Sequence, residues 1–317
     1  MWVRLVAAAA TLAAVVWRLG ADPFVDGVRV VDARALAAAA AIGLVTTVCC
    51  AWRWTFVARG LGVHISLPAA VAAYYRSLFL NVTLPGGIVG DVHRGISHGR
   101  DVHDVGRALR AVAWERLAGQ VVQAALTVVV LLVLPSPVQR STPLVLAALA
   151  AAAVGVVLVD RARARGGRSR WSRVRNAVVA DLRDGLLRPK AMPAIVLAST
   201  VVVVGHAVTF LVAARTAGVT APLSTMLPLA LLAMLAMVLP SIAGWGPREG
   251  AAAWVFGAAG LGSDRGAVTA VAYGVMVLVA SLPGALVLVA GWLPRRRSAP
   301  VRGRLPAVVR PEGAADA

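Results

Sequence analysis

Lysine, cysteine, aromatic residues and negative charge are all scarce in this 317-residue chain. Lys190 is the single lysine, and the other 31 of the 32 basic residues are arginine, which fits a bias of genomic composition. The two cysteines, Cys49 and Cys50, are adjacent inside an apolar run. That excludes a disulfide framework and a cysteine metal site, and both read as small core residues. Acidic residues number 14, leaving a net charge of +18. The positive charge lies in loops beside apolar segments, not on a folded basic module. It therefore argues against a nucleic-acid partner and for cytoplasmic loops attracted to anionic lipid. The chain also lacks an Asp-x-Asp pair, a serine elbow, a paired His–Asp acid/base set and a Gly-x4-Gly-Lys-Ser/Thr phosphate loop. No ATPase, catalytic constellation or cofactor is expected. Gly244-x-Gly246 follows no strand and lacks the full spacing of a nucleotide loop.

What the chain has is hydrophobicity: 59% apolar residues and a mean hydropathy of +0.79. Apolar runs lie near residues 2–19, 35–58, 67–84, 111–134, 143–160, 192–214, 222–239 and 266–293, with a shorter one near 250–262. About 20 such residues cross a bilayer core of roughly 30 Å. The class is an all-α polytopic membrane protein. The first run is read as a retained span, because Arg18 occupies what would be the neutral cleavage region of a signal peptide.

Two segments interrupt the apolar pattern at corresponding places. Leu84-Pro85-Gly86-Gly87-Ile88-Val89-Gly90-Asp91, with Arg94 beyond it, is the first. Leu239-Pro240-Ser241-Ile242-Ala243-Gly244-Trp245-Gly246-Pro247-Arg248-Glu249 is the second. Broken backbone at membrane depth is tolerated where it lines a protein cavity. Paired breaks in two halves point to a transporter binding site.

Charge parity sharpens the topology. The loop 161–190, rich in arginine, and the tail that begins Arg295-Arg296-Arg297 should both be cytoplasmic. Parity is satisfied by six full spans and two re-entrant hairpins, 67–98 and 222–262, that enter from opposite faces. Both termini are then inside, in the cytoplasmic membrane. Ala58-Arg59-x-x-Gly62-Val63 echoes Ala214-Arg215-x-x-Gly218-Val219 at an offset of 156 (214−58), and Leu84-Pro85 echoes Leu239-Pro240 at 155 (239−84). Pro68 echoes Pro222 at 154 (222−68). Residues 1–293 are thus expected to form one transmembrane domain. Its inverted-repeat halves are about 1–135 and 143–293, and 294–317 form a disordered basic tail. Within 161–190, Trp171, Val174, Val178, Leu182 and Leu186 recur at helical spacing, which predicts an amphipathic helix on the membrane surface. Residues 86–98 are polar for an intramembrane return, so an interfacial course is the alternative.

Ionisable groups inside a membrane mark functional sites by default. Asp91, Arg94, Arg248 and Glu249 sit at the breaks, Arg76 lies in the run before the first, and Glu115 and Arg116 open the span 111–134. Broken helices expose N–H groups and positive dipole ends that suit an anion, and arginine adds a fork matched to phosphate. The competing reading makes Arg248–Glu249 and Glu115–Arg116 structural pairs. His93, His98 and His103 recur at five-residue spacing, which places no three ligands on one helical face, so no metal site is expected. His206, alone in its span, reads as a hydrogen-bonded packing residue ahead of a proton relay.

These segments, in this order, resemble the lysylphosphatidylglycerol synthase transmembrane-region family, also called flippase-like. The matching parts are Leu84-Pro85-Gly86 with Gly90-Asp91 and Arg94, then Glu115-Arg116, then Gly244-Trp245-Gly246-Pro247-Arg248-Glu249. The resemblance covers roughly 2–293. It implies a lipid-handling membrane domain, since well-understood members translocate aminoacylated phosphatidylglycerol and relatives are tied to hopanoid transport and archaeal protein glycosylation. The family's synthase activity belongs to a separate soluble domain; only a short tail follows Leu293, so aminoacyl transfer is not expected. The expected function is translocation of an anionic or phosphate-bearing lipid between leaflets. Pro85, Gly86, Gly90, Asp91, Arg94, Glu115, Arg116, Gly244, Gly246, Arg248 and Glu249 would line its path. Expected partners are anionic membrane lipids, with a lipid-modifying enzyme as a possible companion. The rivals are an intramembrane glycosyl- or phospho-lipid transferase and a non-transporting accessory subunit.

Overall fold

The apolar runs become helices whose ends are set by recurrent caps. The computed structural model describes residues 20, 22–134, 154–155, 161, 169–189, 191–239 and 245–292. In chain order the described helices are α1 (Asp22–Arg29), α2 (Ala33–Gly60), α3 (Leu67–Thr83), α4 (Val89–Asp101), α5 (Val105–Val133), α6 (Ser169–Asp181), α7 (Ala191–Thr216), α8 (Leu223–Leu235), α9 (Pro247–Ala258), α10 (Ser263–Ser281) and α11 (Pro283–Trp292). Asp32 opens α2 by accepting the Ala35 N–H at 2.7 Å, and Asp104 opens α5 by accepting the Arg107 N–H at 2.8 Å.

The Ala-Arg-x-x-Gly-Val echo is one helix stop used twice. Gly62 (φ 79°) and Gly218 (φ 76°) take the left-handed conformation, and the next residue's N–H closes back on a helix carbonyl. Val63 donates to Ala58 at 2.9 Å and Val219 donates to Ala214 at 2.9 Å. Pro68 and Pro222, likewise, both sit where a shorter helix begins, a position where a missing N–H costs nothing.

Among the described residues four helices are long and apolar enough to cross a membrane: Ala33–Gly60, Val105–Val133, Ala191–Thr216 and Ser263–Ala290. At 1.5 Å per residue the 28-residue α2 extends about 42 Å. The helices between them are too short to span alone, with 17 residues in α3, 13 in α4 and 12 in α9. The order long, short, short, long therefore occurs twice. The second set starts 158 (191−33), 156 (223−67), 158 (247−89) and 158 (263−105) residues after the first. The expected spans at 2–19 and, apart from residues 154–155, at 143–160 lie outside the described residues, as does the tail 294–317.

Each set has its own apolar core. Trp54, Val57, Ala70, Tyr74, Ala111 and Val112 belong to one, and Phe210, Met226, Leu229, Phe256, Tyr273 and Met276 to the other. Helices α2 and α7 cross between them: Ala35 and Ala39 of α2 pack in the second core, Ala191 and Ile195 of α7 in the first. The two long helices thus clasp the halves together.

The basic segment departs from the plain surface helix expected for 161–190. Helix α6 continues into a π-helical turn, Leu182–Leu186, that plugs into the bundle. Gly185 is buried close to Leu61 and Val57, where a Cβ would collide, and Leu186 packs in the first core. Asp181 anchors the junction to α5 by accepting from Arg110 Nε at 2.8 Å and Trp114 Nε1 at 3.1 Å. Val178 remains exposed as expected, and the side chains of Trp171 and Val174 lie outside the described residues.

Candidate functional site

The first break forms because Pro85 forces its predecessor into extended backbone: Leu84 sits at φ −100°, ψ 147°. Gly86 and Gly87, both at positive φ, turn the chain back. Helix α4 then runs against α3, so residues 86–98 fold as part of a helical hairpin. Gly90 makes this approach possible, since a Cβ there would strike the Ser77 carbonyl. Its N–H, an orphan of the new helix, donates to Asn81 Oδ1 at 2.8 Å.

This geometry places Asp91 beside α3. Its carboxylate accepts from Ser77 Oγ at 3.2 Å, from Asn81 Nδ2 at 2.8 Å and from Arg94 Nη2 at 3.0 Å, and it pairs with Arg116. Glu115, fully buried, is the hub of the cluster. It accepts from Arg53 Nε at 2.8 Å, from Tyr74 Oη at 3.0 Å and from Arg94 Nη2 at 3.1 Å. Arg53 also donates to Ser199 Oγ on α7 at 2.9 Å. Gly119, one turn after Glu115, leaves the room that the Arg53 guanidinium occupies. The Arg94 guanidinium lies between two rings, 4.1 Å from Tyr74 and 4.5 Å from Trp54.

Three arginines and two carboxylates leave this cluster one positive charge in excess. Its donors are in excess as well. Arg94 is 1% exposed, yet its Nε and Nη1 have no partner, nor do Trp54 Nε1 and His98 Nε2 close by.

The second break is organised locally. Pro240 and Gly244 lie outside the described residues. Gly246 (φ 114°) starts α9, and its N–H donates to Glu249 Oε2 at 2.6 Å. Arg248 donates through Nε to Glu249 Oε1 at 3.0 Å, and its guanidinium lies 5.0 Å from the Tyr273 ring and 5.5 Å from that of Trp245. Gly274 makes room for it. Tyr273 Oη hydrogen-bonds His206 Nδ1 at 2.9 Å, so His206 has the packing partner expected of it.

Several sequence expectations change form here. Glu115 and Arg116 do not pair with each other and do not open a span. Helix α5 starts at Val105, so they sit in its interior, Glu115 facing the core and Arg116 facing Asp91. Arg248–Glu249 is an ion pair, as the structural alternative held. Arg94 and Arg248 do not meet: the two clusters exchange no side-chain hydrogen bond or ion pair among the described residues. Pro85 and Gly86 shape the turn and place no polar side chain in the cluster. Arg76 stands apart, donating to Ser97 at 3.4 Å. Among the described residues no group of His, Cys, Asp and Glu is arranged to hold a metal ion.

Arg53 is the residue the sequence reading missed. Its signal was available: a charge deep in the run 35–58, which the cost of intramembrane ionisation makes conspicuous. Tyr74, Ser77 and Asn81 gave no such signal, since their role depends on the return of α4. No curated protein and no solved structure matches the chain. Residues 1–284 match the lysylphosphatidylglycerol synthase TM region, and the chain belongs to that family of multi-pass membrane proteins with a lipid-related role.

Proposed function

We propose that this protein moves an anionic, phosphate-bearing lipid between the leaflets of the cytoplasmic membrane, acting as a carrier and not as an enzyme. The observation that carries the reading is the buried, charge-balanced quartet of Arg53, Asp91, Arg94 and Glu115, with half-exposed Arg116 at its rim adding one positive charge and with unpartnered Arg94 donors inside. Burying ions is costly, and apolar residues of similar volume hold a core as well or better. Packing alone therefore gives no reason for four buried ions. An excess positive charge with free guanidinium N–H groups matches a phosphate oxyanion. Arg94 would bind the head group directly. Glu115 and Asp91 would hold the arginines in place and set how strongly they attract the lipid, while acyl chains remain in the bilayer. Arg248 and Glu249 would serve at the second break. In this reading the hairpins α3–α4 and α8–α9 enter from opposite faces, both termini are cytoplasmic, and the repeated helix order is an inverted repeat.

The test is reconstitution in vesicles with fluorescent phosphatidylglycerol and an impermeant quencher of the outer leaflet. The parent protein should expose inner-leaflet lipid well above protein-free vesicles, Arg94→Lys should be slowed, and Arg94→Gln should lie at background. A parent at background sinks the carrier reading, and a lipid whose mass changes during the assay identifies a transferase. Sided labelling tests the topology in a protein with Cys49 and Cys50 replaced by serine. H103C, in the α4–α5 turn, should react from the cytoplasm and D264C, at the start of α10, from outside. Reaction of both from one side ends the inverted arrangement.

A further inference from the structure

The seam between α2 and α7 separates two spaces that differ in the polar groups they hold. On the outer surface lies a groove of about 440 Å³, lined by Ile42, Val45, Thr46, Val201, Val204 and Gly205 among others, and almost wholly apolar. Val45 and Val204 are each 53% exposed on its walls. On the inner side lies a cavity of about 60 Å³ with a mostly apolar wall, including Ile42, Leu78 and Met276, into which Thr46, Thr47, Cys50, His206, Thr209 and Ser281 set polar groups. Three of these hydroxyls already donate to helix carbonyls: Thr46 to Gly43, Thr209 to Gly205 and Ser281 to Leu278. Their oxygens are left to accept. Such a space holds about four waters and no head group.

Only a thin wall divides the two. Ile42 and Thr46 line both, and Gly205 packs against them from α7. The inner cavity also lies between the two charged clusters. Cys50 accepts from Arg53 Nη2 at 3.8 Å on one side, and His206 bonds Tyr273, which lies under Arg248, on the other.

We propose that this seam is a lateral port for a phospholipid. An acyl chain occupies the outer groove while the head group passes between Thr46 and Gly205 into the inner cavity and reaches the arginine clusters. The occupant follows from the order of groups along this path: an apolar slot, then hydroxyls set in a mostly apolar wall, then guanidinium groups, which is the order of an amphipathic lipid lying across the wall. The described state is closed, and parting α2 from α7 at this point joins cavity to groove. The inference rests on the carrier reading and adds the route of entry.

A disulfide tests it. A Cβ added at Gly205 lies 4.0 Å from Thr46 Cβ, within the roughly 3.5–4.5 Å a disulfide requires. T46C also removes the methyl group that such a Cβ would meet. With Cys49 and Cys50 replaced by serine, oxidised T46C/G205C should move fluorescent phosphatidylglycerol at least tenfold more slowly than the same protein after reduction. The second readout needs no transport. With Cys50 restored and Cys49 still replaced, a membrane-soluble maleimide should label Cys50 readily in the unlinked protein and at least tenfold more slowly in the linked one. Val204→Trp, a substitution on the exposed wall, should slow transport several-fold by filling the groove. Equal transport and equal Cys50 labelling in fully linked and unlinked protein overturn the port. Loss of Cys50 labelling on linking, with no transport by the parent, upholds the port as an access path while the carrier reading fails.

Discussion

The first half of the molecule holds its clustered charges across three helices, α2, α4 and α5, whereas the second holds them within one turn of one helix. Both halves are framed alike, with a long helix, a short hairpin and a second long helix, starting at offsets of 156 to 158. At an offset of 158, Asp91 corresponds to Glu249 (249−91) and Glu115 to Tyr273 (273−115). The carboxylate of α5 is thus a phenol in α10. Glu115 gathers Arg53, Arg94 and Tyr74 into a network, and Tyr273 instead receives one cation on its face and shares one hydrogen bond with His206. Glu249 is engaged by its own helix start and its own neighbour, as a capping residue would be. The same backbone device therefore carries an inter-helix charge network at one break and a local ion pair at the other.

The largest expected effect that would break this comparison is at Glu115. Glu115→Gln strands two buried guanidinium groups and should destabilise the protein by about 3–5 kcal/mol, read as a lowered thermal midpoint in detergent. Glu249→Gln should cost about 1.5–3 kcal/mol, the scale of hydrogen bonds to a charged group. An equal loss in the two variants would mean the second cluster is as much a tertiary network as the first. Ser199→Ala removes the one hydrogen bond tying the first cluster to α7. It should cost about 1.5–3 kcal/mol by the same scale, and transport should fall with it if the clasp holds Arg53 in register. Tyr273→Phe keeps the ring under Arg248 and removes its bond to His206, for about 0.5–1.5 kcal/mol. The smallest effect belongs to Arg116→Ala. That guanidinium is 41% exposed, so its pair with Asp91 is screened and should contribute under about 1 kcal/mol. A large loss there would place Arg116 inside the network and not at its rim.

Much of the architecture follows from local rules that a sequence displays. Apolar runs of sufficient length give long helices, Pro85 with Gly86 and Gly87 ends one, and Gly62 and Gly218 stop two others by adopting positive φ. The Arg248–Glu249 pair is legible for the same reason, because its partners are neighbours along the chain. Helix starts were less legible. Val105–Leu109 opens α5 before the apolar run begins, since an Asp104 cap and early polar residues carry no hydropathy signal.

What the sequence by itself determined is the membrane class, the two breaks, the doubled order of helices and the presence of costly charges near the first break. Only the tertiary structure decided which charges meet. Asp91 reaches Arg116, Glu115 reaches Arg53 across 62 residues, and Arg53 reaches Ser199 across 146. It alone decided, too, that Thr46 and Gly205 form a wall between an apolar groove and an inner cavity that carries hydroxyl groups. Helix caps and breaks depend on backbone sterics within a few residues, which the chain order records. Ion pairs and cavities depend on the rotation and close approach of helices distant in sequence. Glycines such as Gly90, Gly119 and Gly205 permit that approach without revealing which neighbour will fill the space.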